Sequence, residues 1–235
     1  SINLIRNTIE RTKQSTFLVR VPSTIPEHRG FPSPKGSGFF ISKDGYFVTA
    51  SHVLEGVKNG NDLKLSQPEL ELIKSGTKPL EQIEIVQTWP QFDIALLKVN
   101  LEKNRGNPLV EDNTSFNYLD IDFGNCLDGT PVYSYGFPLP EWEIKGNEQL
   151  LLGLEFLCPR VTSAIISSHY DAIRPIRSTA LPKWYVIDKA LNYGNSGGPI
   201  ILVETGKAIA VCARFQPVSI PQNQKIQVTV PSLYS

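Results

Sequence analysis

Methionine is missing from all 235 residues, the first position included, and the chain holds only three cysteines and three histidines. The absence of a start residue points to a processed product or a domain excised from something longer. Lys plus Arg and Asp plus Glu balance at 23 each, so no net field draws the chain to nucleic acid or to an anionic membrane. Neither is expected as a partner. No apolar run approaches the roughly 18 residues of a membrane span, and Ser1-Ile2-Asn3-Leu4-Ile5-Arg6 has no signal-peptide core. The expected setting is cytoplasmic, or periplasmic or otherwise exported if a signal was removed. Cys126, Cys158 and Cys212 are an odd number without metal-ligand spacing. They are expected to be buried free thiols, and neither metal nor cofactor is expected.

Against these absences stand 11 Phe, 8 Tyr and 3 Trp, enough to build a substantial core and exclude a disordered chain. Ile2, Leu4, Ile5 and Ile9 recur at helical spacing, which predicts a short amphipathic helix over Ile2–Lys13. Short strand signals follow, beginning with Thr16–Val21. Gly36–Ser42 and Tyr46–Thr49 flank Lys43-Asp44-Gly45 and read as a hairpin. Leu63–Leu65 and Leu70–Ile73 are strand candidates, Gln82–Val86 alternates with period two, and Phe92–Val99 completes the first set. Asn100–Asn117 is polar and reads as a connection. Tyr118–Phe123, Gly129–Pro138 (a strand that ends in a loop), Leu150–Leu157, Val161–Ser167, Trp184–Ile187, Ile200–Val203, Ala208–Ala213 and Ile226–Val230 supply the second set. Many short strands and almost no helix imply an all-β pair of barrels. The expected division is a helical segment over 1–15, a first barrel over 16–110 and a second over 111–235. His28 is expected in a solvated loop. His169 is expected to open a polar loop that runs to Ala180, exposed and without a role.

The chemistry centres on Asn192-Tyr193-Gly194-Asn195-Ser196-Gly197-Gly198-Pro199. A Ser in a Gly-rich turn ahead of a strand presents a hydroxyl and frees backbone N–H groups beside it, as an acyl-transfer nucleophile requires. Thr49-Ala50-Ser51-His52-Val53 and Phe92-Asp93-Ile94-Ala95-Leu96-Leu97 lie upstream, which gives the chain order His, Asp, Ser of the chymotrypsin fold.

These motifs, together with Gly36-Ser37-Gly38-Phe39-Phe40-Ile41-Ser42, Tyr135-Gly136-Phe137-Pro138, Val161–Ser167, Ala190-Leu191-Asn192 and Val228–Ser232, resemble the trypsin-like serine proteases, and within them the HtrA/Deg branch. The resemblance covers nearly everything from Thr16 to Ser232. It implies two six-stranded antiparallel β-barrels with the active site between them. His52 would be general base and acid, Asp93, in an apolar strand, would orient it, and Ser196 would be the nucleophile. The backbone N–H groups around Gly194, Asn195 and Ser196 would form the oxyanion hole. Val53 stands where secreted animal enzymes usually carry a Cys, which favours a reducing or bacterial setting. The neutral Asn195 replaces the Asp that receives a cut N-terminus in zymogen-activated enzymes, so the site should not depend on such a cut. Tyr193 replaces a Pro of the HtrA pattern.

The residue six before the nucleophile, 196 − 6 = 190, would form the base of the primary specificity pocket, and it is Ala190 with Leu191 beside it. Tyr193, Cys212, Ala213, Arg214 and Phe215 complete the expected substrate contacts, the backbone of the last three pairing with an extended chain. A pocket without a carboxylate implies cleavage after small or medium aliphatic residues. The expected function is a serine endopeptidase acting on protein or peptide through an acyl-enzyme. A regulatory module on the same polypeptide, or a partner protein, would control it. The alternative is a latent protease-fold module used for binding or in a chaperone-like role.

Overall fold

The computed structural model describes residues 2–21, 33–55, 70–74, 78–112, 114–138, 141–145, 152–156, 158–171, 183–189, 191, 194–215 and 232–234. His28, the strand candidates Leu63–Leu65 and Ile226–Val230, and the pocket residues Ala190 and Tyr193 lie outside the described residues. The helix α1 (Ile2–Ser15) leads directly into β1 (Thr16–Val21). Then come β2 (Ser33–Phe40), β3 (Tyr46–Thr49), β4 (Glu71–Ile73), β5 (Ile83–Trp89) and β6 (Ile94–Val99). They form one antiparallel sheet in the order β4-β1-β2-β3-β6-β5.

The second half contains β7 (Pro131–Gly136), β8 (Glu141–Lys145), β9 (Leu152–Phe156), β10 (Arg160–Asp171), β11 (Lys183–Ile187), β12 (Pro199–Leu202), β13 (Ala208–Phe215) and β14 (Ser232–Tyr234). Six of these close a barrel in the order β10-β11-β14-β13-β12-β7, and β8 pairs with β9 in a separate hairpin. The two six-stranded units of the expected all-β fold are therefore present, with the β8–β9 ribbon added. Tyr118–Phe123 forms no strand; it contributes an isolated bridge from Ile121 to Ala208.

Period-two patterning explains the first sheet. Along β6 the side chains of Ala95, Leu97 and Val99 are buried, while Ile94, Leu96 and Lys98 are half-covered. A bulge in β5 after Ile85 turns both Val86 and Gln87 outward. Inside, Phe17, Phe40 and Phe47 meet edge to face, and Phe116 stacks on Phe40 at 4.3 Å. Each fully buried Phe of this kind contributes about 1.5–3 kcal/mol. Phe116 N–H and Leu119 N–H donate to Lys43 O and Phe40 O, so the connection runs along the first sheet before the chain crosses. Tyr133, Ile201, Ala208 and Val211 of the second half join this same core.

Helix α1 bridges the halves. Thr12 Oγ1 and Tyr133 OH share a buried hydrogen bond of 2.8 Å, and Arg11 pairs with Asp120. In the same C-terminal turn, Lys74 Nζ donates to Lys13 O and Gln14 O at 2.6 and 2.5 Å and lies over the Phe17 ring. It thereby satisfies carbonyls that a helix C-terminus leaves without intrahelical partners. Burial pushes the Lys74 amine down to about 7.

Two expectations need correction. None of the three cysteines is in a disulfide, and Cys126 and Cys212 are buried, but Cys158 is exposed. His169 is not in a loop: β10 continues to Asp171 because it pairs with β11, His169 opposite Tyr185. Its ring is also engaged, with Nδ1 2.7 Å from Asp128 Oδ1 and Nε2 2.5 Å from Cys126 O.

Candidate active site

The β2–β3 hairpin turns at Gly45, whose φ of 105° favours glycine, and β3 then delivers Ala50 to a 3-10 turn over Ser51–Leu54. Val53 and Leu54 sink into the first core, which leaves His52 on the outer side of that turn with 36% of its side chain accessible. Asp93 sits just ahead of β6 rather than within it, in the left-handed region at φ 54°. Asp tolerates that conformation better than most residues. The turn is closed by Asp93 N–H to Pro90 O, and Asp93 O in turn accepts Ser51 N–H.

Those two turns place a buried carboxylate against the imidazole. His52 Nδ1–H donates to Asp93 Oδ2 at 2.7 Å, while Oδ1 accepts His52 N–H at 3.0 Å and Ser51 Oγ–H at 2.9 Å. Burial alone would raise the Asp93 carboxyl, but the His52 side chain, the His52 backbone N–H and the Ser51 hydroxyl outweigh it. Asp93 is held below the usual carboxylate range and stays ionised. An ionised carboxylate only accepts, so it fixes the proton of the neutral ring on Nδ1 and leaves Nε2 as a base.

The second half supplies Ser196 on a turn between Gly194 (φ 94°) and Gly197 (φ 88°). Gly197 N–H donates to Cys212 O at 2.6 Å, Gly198 N–H to Asn195 O at 2.9 Å, and Cys212 N–H to Gly198 O at 2.8 Å. The turn also docks on the first half: Ser37 N–H donates to Ser196 O at 2.7 Å. A side chain at Gly197 would strike Ser37 O and Thr49 Oγ1 and lie 3.0 Å from Ala50 N, two residues before His52. Glycine is needed there for space as well as for backbone freedom. Trans peptide planes put each N–H opposite its own carbonyl. With Asn195 O held inward by Gly198 N–H, Ser196 N–H faces away from the turn's interior, as an oxyanion donor must. Asn195 is itself buried, its Oδ1 against Gly136.

His52 and Asp93 are thus brought together within the first half, and the turn of Gly194, Asn195 and Ser196 docks on Ser37, Thr49 and Ala50 of the same sheet. Among the described residues no hydrogen bond joins His52 to Ser196. Of the expected pocket, Leu191, Cys212 and Ala213 are buried, Leu191 and Cys212 within the second core. Arg214 and Phe215 pair on one edge with Leu233 and Ser232 of β14; on the other edge β12 reaches no further than Val211. Ser37 is a contact residue of the Ser196 turn that the sequence marks only by its place between two glycines.

The model of the trypsin-like peptidase domain matches residues 36–211. A probable periplasmic DegP-like serine endoprotease of Bartonella henselae is 31% identical over 81% of this chain and 30% of its own length. The mitochondrial serine protease HTRA2 of Bos taurus is 25% identical over 89% of this chain and 38% of its own length. The chain therefore spans about a third of these relatives. Among solved structures, an inactive serine-to-alanine mutant of Rv3671c from M. tuberculosis covers 97% of this chain, and 83% of its own, with a TM-score of 0.56 and 19% identity, a likeness of fold. A buried carboxylate, an imidazole and a glycine-framed serine, arranged on two packed β units in a stretch that this domain model spans, place the chain in one family: it belongs to the trypsin-like peptidases.

Proposed function

We propose that the chain is a serine endopeptidase domain that cleaves peptide bonds through an acyl-enzyme. Ser196 Oγ attacks the scissile carbonyl while His52 Nε2 takes its proton and later returns it to the leaving amine. Asp93 keeps the ring in the productive tautomer and stabilises the imidazolium as it forms. The N–H groups of Gly194 and Ser196, with Asn195 between them, receive the developing oxyanion, each donor worth about 10²–10³-fold. The observation that carries this reading is the closed His52–Asp93 pair on the same strand–turn unit against which the Ser196 turn docks.

In this reading Leu191, Cys212 and Ala213 belong to an uncharged specificity pocket, to which the sequence pattern also assigns Ala190 and Tyr193, and the backbone of Arg214 and Phe215 pairs with extended substrate along the edge away from β14. Cleavage follows small or medium aliphatic residues. The buried neutral Asn195 makes the site independent of a cut N-terminus. A further module on the same polypeptide or a partner protein regulates it, in line with the greater length of its relatives. The DegP-like relatives are named as periplasmic, so we place the domain in an exported compartment in preference to the cytoplasm expected from the sequence.

One observation favours a second reading, a latent module: the hydrogen bond from Ser196 to His52 is not closed in this arrangement. Profiling with a peptide library decides. Cleavage after Val, Ala, Leu or Ile is expected; dominant Lys or Arg cleavage overturns the pocket, and no cleavage at all favours the latent module.

A further inference from the structure

Ser37 is fully buried on β2, and all four of its polar functions are engaged. Its N–H donates to Ser196 O at 2.7 Å and its O accepts Thr49 Oγ1–H at 2.7 Å. Its hydroxyl donates to Gly194 O at 2.7 Å and accepts Phe137 N–H at 2.9 Å. The flanking glycines are dictated by the same approach. A side chain at Gly36 would lie 2.5 Å from Ser196 O and 2.7 Å from Val53, and one at Gly38 would meet the Phe47 ring and Val48 O. The Gly-Ser-Gly segment is thus shaped to bring one hydroxyl against the peptide that follows Gly194.

Gly194 has a φ of 94°, a conformation from which a glycine swings readily. Neither the His52–Asp93 pair nor the Gly198 N–H bond to Asn195 O restrains its carbonyl; Ser37 Oγ does. We infer that Ser37 is a positioning residue of the proposed protease site: its hydroxyl fixes the Gly194–Asn195 peptide plane, which lies between the two oxyanion donors Gly194 N–H and Ser196 N–H and so sets how they stand relative to each other, and it ties that turn to the chain leaving β7 through Phe137. The inference rests on the serine-protease reading and adds to it a residue that meets Ser196 only through backbone and takes no part in the chemical steps.

The test compares wild type with Ser37→Ala and with Ser37→Cys, which keeps side-chain bulk but donates weakly. Since a direct oxyanion donor is worth about 10²–10³-fold, an indirect restraint is expected to cost about 10- to 100-fold in kcat for Ser37→Ala and less for Ser37→Cys, with KM little changed. Affinity for a peptide boronate, which forms a tetrahedral adduct at Ser196, should fall in parallel. Amide exchange at Phe137 and Gly198 should quicken. Unchanged kcat and boronate affinity in a folded variant overturn the inference, as does a loss confined to KM. If wild type itself neither turns over nor binds boronate, the protease reading fails. Exchange then decides alone: faster exchange at Phe137 and Gly198 shows that Ser37 holds the turn, and unchanged exchange shows that it does not. Should Ser37→Ala not fold, Ser37→Cys carries the same readings.

Discussion

The two halves contribute to the proposed site by different means. The first half is self-contained: Asp93, Ser51 and His52 lie on adjoining turns of one sheet and satisfy one another through side-chain hydrogen bonds. The second half presents Ser196 on a turn whose position is set largely by the first. Ser37 N–H, Ser37 Oγ, Thr49 and Ala50 touch it, and backbone packs on backbone with glycine at each close approach. A catalytic pair can thus be built within one folding unit, whereas the nucleophile is placed only when the units meet. Losses at the His52–Asp93 pair should therefore be chemical, and losses at the contacts between the halves should be both chemical and structural.

The largest expected effect is that of Ser196→Ala, which removes the nucleophile and little volume. Turnover should fall by about 10⁶-fold with an unchanged melting temperature, because the His52–Asp93 pair does not depend on the hydroxyl. Asp93→Asn comes next, at about 10⁴-fold, since an amide cannot hold the Nδ1 proton as the carboxylate does. It also has a pH signature. The folded carboxyl titrates below its ordinary value, so it stabilises the fold above the unfolded value and that stability is lost as pH falls through the folded one. Acid titration of the melting temperature should be steeper in wild type than in Asp93→Asn.

Gly197→Ala tests the junction itself. The methyl meets Ser37 O and Thr49 Oγ1 at a positive φ, so about 2–4 kcal/mol of stability and about 10²-fold in kcat should be lost together. A loss of activity with full stability would break the contrast between the halves.

The smallest effect on chemistry is expected at Lys74. Lys74→Ala leaves the Lys13 and Gln14 carbonyls without that donor and should cost about 1–3 kcal/mol while kcat is unchanged. The folded amine titrates near 7, below its unfolded value of 10.5, so the unfolded chain binds more protons in between. Wild-type stability should therefore rise with pH across that window, and the variant should lack the rise.

The same contrast explains what could be read from the sequence. His52, Asp93 and Ser196 sit in short local patterns, and the Asp44-Gly45 hairpin and the β6 alternation are local too. Ser37 was missed because its role depends on Gly194, which lies 157 residues away. His169 was misread because pairing with β11 overrides a polar composition that suggests a loop. Strand β8 shows Trp142 and Ile144 alternating with Glu141, Glu143 and Lys145, a usable signal that the nearby Pro138 and Pro140 obscured. Strand β14 is only three residues long, and its place is decided by β11 and β13 on either side.

The most direct test of a site assembled across the two halves is covalent labelling by a peptidyl phosphonate with an aliphatic residue next to phosphorus, read by intact mass and peptide mapping. One adduct per chain on Ser196 is predicted for wild type, with labelling abolished in Ser196→Ala and strongly slowed in both His52→Ala and Gly197→Ala. No adduct on wild-type Ser196, or undiminished labelling without His52, would contradict the account.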